Sequence, residues 1–83
     1  MKIYGYKDEG LNIEEIVSSE LAEITLVASP EELRMIAAFL ETAAKSMERM
    51  GNTYSHEHLS DKEHYFSSSP HFVVAPESKR VNR

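Results

Sequence analysis

The stretch of this chain whose residue types could do chemistry is H-E-H-L-S-D-K-E-H, residues 56–64, with a further histidine at His71. On a strand, His56 and His58 point to the same face, roughly 7 Å apart over two strand steps. Two imidazoles at that separation can share a zinc or nickel ion, with Asp61 or His64 as a third ligand. The spacing matches no specific metal motif. Imidazoles hydrogen-bonded to polar neighbours are the plainer reading, so no metal or other cofactor is assigned. Phosphoester chemistry built on a histidine followed two residues later by Ser or Thr finds one candidate, His58-Leu59-Ser60, where two facing copies are needed. No Gly-rich phosphate loop, nucleophile elbow or paired-carboxylate arrangement is present. With no cysteine in the chain, thiolate ligands, thiol nucleophiles and disulfides are also excluded. The expectation is a protein that is not an enzyme.

The element that must position these residues is S-P-E-E-L-R-M-I-A-A-F-L-E-T-A-A-K-S-M-E-R-M-G, from Ser29 to Gly51. Ser29 is a natural N-cap, Pro30 fits the first helical position, and Glu32 can close a capping box. Gly51 supplies the residue that can turn left-handed past the end. At about 100° per residue, Phe39, Met50, Ala43, Ile36, Met47, Leu40, Leu33, Ala44 and Ala37 fall on one arc. Met35 falls on the opposite, polar arc. The pattern predicts a helix lying on an apolar surface, with Leu33, Ile36, Leu40 and Met47 buried.

Strands flank it. Residues 1–7 alternate, with Ile3 and Gly5 on one side and Lys2, Tyr4 and Tyr6 on the other, and Asp8-Glu9-Gly10 reads as a turn. Residues 11–19 fit either a short strand or an irregular connection. Residues 20–28 are the clearest strand: Ala22, Ile24, Leu26 and Ala28 form an apolar face expected under the helix. Residues 53–61 are expected to return as a strand, with Tyr54, His56 and His58 on one side and Ser55, Glu57 and Leu59 on the other. Neither side is a normal core face. The histidines are expected outward, because Leu59 is the aliphatic residue available to the core. Ser67-Ser68-Ser69-Pro70 reads as a loop and His71–Ala75 as a last short strand ended by Pro76. The predicted fold is α+β: a small antiparallel sheet of three to five strands with one long amphipathic helix on one face. Residues 1–76 form a single domain, and 77–83 a disordered C-terminal tail.

Eighty-three residues make one domain near the low end of what folds unaided, which leaves homodimerisation open as a way to bury more surface. No signal-peptide run or membrane-spanning stretch is present, so a cytoplasmic protein is expected. The net charge of −5 is concentrated in residues 1–28, which carry −4. That balance argues against nucleic acid as a partner and suits a basic protein. A solvated acidic rim that keeps the chain soluble is the plainer alternative.

The order L-A-E-I-T-L-V-A-S-P-E-E-L-R-M-I-A-A-F-L-E-T-A-A, from Leu21 to Ala44, followed by H-E-H-L-S-D, from His56 to Asp61, resembles the small bacterial immunity proteins of polymorphic toxin systems. The family is immunity family thirty-two, and the likeness covers residues 20–76. It implies a protein that binds a cognate toxin and neutralises it by occlusion, with no catalytic motif to carry across. Many such toxins are basic nucleases, and an acidic body fits them through steering and interfacial charge pairing. The residues expected to meet the partner are His56, His58 and Asp61, together with the acids Glu14, Glu15 and Glu23. The competing reading is a small stand-alone regulatory or metal-responsive module, dimeric or not, that uses the histidines.

Overall fold

The computed structural model describes residues 1–7 and 20–77, the side chains of residues 6 and 7 excepted. The segment 8–19 and residues 78–83 lie outside the described residues. The turn at 8–10, the connection 11–19 and most of the C-terminal tail therefore lie outside them as well.

The chain is α+β. Strands β1 (Lys2–Lys7) and β2 (Leu21–Val27) pair antiparallel, with Ile3 opposite Leu26 and Gly5 opposite Ile24. The register shifts at Tyr6/Lys7, which brings Leu21 over Gly5; a Cβ at Gly5 would sit 2.7 Å from Leu21 Cδ1. Two residues after β2 the helix α1 (Pro30–Met50) begins. A 3-10 turn (Gly51–Thr53) leads into β3 (Glu57–His58) and the single-turn helix α2 (Leu59–Lys62). A second 3-10 turn (His64–Phe66) precedes β4 (Val73–Val74), which pairs antiparallel with β3. Among the described residues, four strands form two separate two-stranded sheets where the sequence pattern suggested one.

The start and stop of α1 are local chemistry. Ser29 Oγ accepts from Glu32 N at 3.1 Å, and Ser29 N donates to Glu32 Oε1 at 2.8 Å, a complete capping box around Pro30 at the first position. Glu32 Oε2 also takes the N-terminal ammonium at 3.3 Å, which ties β1 to the start of the helix. At the far end Gly51 has φ of 56°, a conformation open to glycine without a Cβ penalty. Its N–H returns to Met47 O.

Which side of α1 is covered differs from expectation. Ile36, Phe39 and Ala43 are buried and Met47 is half-buried, but Leu33 and Leu40 remain 47% and 43% exposed. Met35, placed on the polar arc by the periodicity, is half-buried against the core. The reason lies in what covers the helix. The core is Ile36, Phe39, Leu59 and Phe66, joined by Phe72 and Val74, so the surface under α1 comes from the segment after it. Phe39 meets Phe72 edge-on at 6.3 Å. The β1–β2 pair contributes its end, through Met1 and Leu26, while Ile24 stays 57% exposed. The apolar face of β2 is therefore not laid along the helix.

The strand expected over 53–61 shrinks to Glu57–His58, since Leu59 N bonds Phe72 O at 2.9 Å and the chain then turns into α2. Leu59 and Phe66 are the most deeply buried large side chains, each 1% exposed.

Candidate functional site

The histidines stand on a two-stranded ribbon whose alternation is set by β4. Phe72 and Val74 turn inward onto the core, which leaves His71 and Val73 on the outer face. Val73 pairs with His58, so His58 shares that outer face. The rings meet edge-on in a row: His56 to His58 at 5.2 Å between centroids, and His58 to His71 at 5.8 Å. His56 and His71 are exposed and His58 is half-buried. Ser55 Oγ lies 3.0 Å from His56 Nδ1. His71 belongs to the row through the alternation of H-F-V-V-A, which the sequence shows as a strand beginning at that further histidine.

Beneath the row the inner face is polar but satisfied. Tyr54 is 2% exposed, and its hydroxyl donates to Glu57 Oε1 at 2.7 Å. Glu57 Oε2 pairs with Lys62 Nζ at 3.3 Å. Burial, reinforced by the bond to Glu57, pushes the Tyr54 hydroxyl up to about 12. The same hydrogen bond holds the Glu57 carboxyl below its ordinary range, with Lys62 adding to it against the cost of partial burial. The expected outward register of the histidines is the one adopted, with Leu59 in the core and Glu57 on the helix side. Tyr54, however, does not share the histidine face. The 3-10 turn delivers it inward, where its ring fills core volume and its hydroxyl supplies the partner that a part-buried carboxylate needs.

The remaining candidates are scattered. Asp61 is exposed on α2 and makes no hydrogen bond or ion pair among the described residues. Glu23 is exposed on β2, in the other sheet, where it accepts from Thr25 Oγ1 at 3.2 Å. Glu14 and Glu15 lie outside the described residues. The structure brings together His56 and His58, adds His71, and leaves Asp61 and Glu23 apart from them in separate elements.

A cleft of about 130 Å³ between α1 and α2 is lined by Ala38, Phe39, Thr42, Glu57, Lys62 and Glu63. Ligand pockets run to about 300–1,000 Å³, so this cleft has room for waters rather than a substrate. Among the described residues no group of three or more His, Asp or Glu side chains is arranged to hold a metal ion. Nor is any helix among them long and apolar enough to cross a membrane. The ribbon shows three imidazoles and a valine outward, backed by a satisfied polar pair and a packed core.

Comparison with curated proteins and with solved structures returns no match. Comparison with protein families matches immunity protein 32 over residues 23–77, a span that holds most of β2, all of α1 and the histidine ribbon. The chain belongs to the immunity protein 32 family.

Proposed function

We propose that the protein binds a cognate bacterial toxin of a polymorphic toxin system and neutralises it by occlusion in the cytoplasm, without catalysis of its own. Family membership over residues 23–77 is the observation that carries this reading. The acidic balance of −5 supports a cationic partner, a basic nuclease being the class it suits best. The outer face of the β3–β4 ribbon, with His56, His58 and His71, is the contact region, with Asp61 at its margin. Glu14, Glu15 and Glu23 act at longer range, raising the rate of encounter.

The test is neutralisation in cells. The toxic domain of a candidate cognate toxin is expressed in a bacterial host with and without this chain. Growth rescued by the chain, together with a complex of the two purified proteins, supports the proposal. A toxic domain left fully active by an abundant, folded chain overturns it.

A further inference from the structure

The covered side of α1 leaves an apolar stripe in solvent. Leu33, Ala37, Leu40 and Ala44 are exposed, and half-buried Met47 continues their line. Their spacing alternates four and three residues, the seam of a helix pair, with Leu33, Leu40 and Met47 on one row and Ala37 and Ala44 on the other. Large and small residues alternate along it. Isolated exposed leucines need no explanation, but a five-residue seam in register does.

We propose that the occupant of this stripe is a second copy of the same chain, with its α1 running antiparallel. The pattern complements itself in that direction. Leu33 lies opposite Ala44 of the second copy and Leu40 opposite its Ala37, so the layers these four residues form each set a large residue against a small one, with Met47 at the margin. Two-fold symmetry repeats each contact, as an isologous interface requires. The charges flanking the seam make the same choice. Arg34, Glu41 and Glu48 occupy the positions beside it, and in the antiparallel register Arg34 of each copy faces Glu41 of the other. A parallel pair would instead set Glu41 and Glu48 beside the covered positions Ile36 and Ala43, where no cation waits. Arg34 makes no hydrogen bond or ion pair among the described residues, and the side chain of Glu41 is 71% exposed, in a loose 3.9 Å contact with Lys45. The stripe also answers a shortage: few of the described side chains are fully buried, and oligomerisation is a common remedy at such a size. The inference holds whatever the chain neutralises.

Sedimentation equilibrium of the full chain over a range of concentrations tests it. Wild type should approach twice 9.4 kDa. Arg34→Glu or Glu41→Arg alone should weaken the dimer about tenfold, because two attractive pairs become two repulsive ones. The double reversal should restore wild-type association, and Leu40→Glu should abolish it while circular dichroism of the diluted protein stays unchanged. All three positions are exposed, so the variants keep their fold. A wild-type chain monomeric at every concentration overturns the proposal. So does a dimer that survives Leu40→Glu, or single reversals that the double variant does not rescue. Monomeric wild type whose toxin neutralisation is lost in Leu40→Glu would likewise overturn it and give the stripe to the toxin.

Discussion

Tyr54 and Glu57, three residues apart, form a 2.7 Å hydrogen bond in which a phenol buried to 2% exposure donates to a carboxylate that Lys62 also holds. The bond joins Tyr54, beneath the histidine ribbon, to Glu57 on its inner side, with His56 and His58 on the outer face. Tyr54→Phe keeps the ring and removes the donor to an ionised acceptor, and should cost about 1.5–3 kcal/mol. Denaturant midpoints compare the two proteins.

The same pair sets a pH window. Tyr54 titrates higher in the folded chain than in the unfolded one, near 12 against about 10, so its contribution is complete below about pH 10 and lost as pH rises towards 12. Glu57 and Glu32 titrate lower when folded, Glu57 mainly through Tyr54 and Glu32 mainly through the Ser29 backbone N–H. Their contributions are present above the ordinary carboxyl value, about 4.3, and lost as pH falls through the depressed one. Melting temperature plotted against pH should fall at both ends, and Tyr54→Phe should flatten the alkaline limb. An alkaline limb unchanged in that variant would show that Tyr54 does not set it.

Two leucines should behave in opposite ways. Leu59 is 1% exposed in the core, and Leu59→Ala should cost about 2–5 kcal/mol. Leu40 is 43% exposed, and in dilute protein Leu40→Ala should cost well under that, about 1 kcal/mol or less. Equal losses in denaturant unfolding would contradict the placement of the core on the C-terminal side of the helix.

Ser29→Ala removes the acceptor for Glu32 N at 3.1 Å and should lose about 0.5–2 kcal/mol. An unmoved denaturant midpoint would mean that the box does not anchor the helix start.

If the histidine face meets the toxin, His56→Ala/His58→Ala should weaken toxin binding while the melting temperature holds, since His56 is exposed and His58 half-buried. Lost stability at unchanged affinity would make the row structural. Added zinc should leave wild-type stability unchanged, and a zinc-dependent rise in melting temperature would restore the metal reading. Association with a cationic toxin should also slow as salt rises, because exposed charges are screened beyond about 8–10 Å. Charge reversal at Glu14, Glu15 and Glu23 should act on the on-rate.

What the sequence determined by itself is what depends on neighbouring residues. The capping box of Ser29 and Glu32, the N1 proline, the positive φ of Gly51 and the strands over residues 2–7 and 21–27 follow from chemistry within a few residues or from simple alternation. The two-residue link into α1 follows the same way. The outward turn of His56 and His58 was legible because one aliphatic residue, Leu59, was available to the core. Tertiary structure decided which sector of a wide apolar arc is covered. Periodicity ranks Leu33, Leu40, Ile36 and Phe39 alike, and the helix buries Ile36 and Phe39 because Leu59, Phe66 and Phe72 arrive on that side. Met35 becomes half-buried for the same reason. Phe66, in a polar stretch without strand or helix periodicity, carries no local sign of burial, yet a 3-10 turn places it at the centre of the core. Such contacts join residues far apart in the chain, and no window of sequence contains both partners.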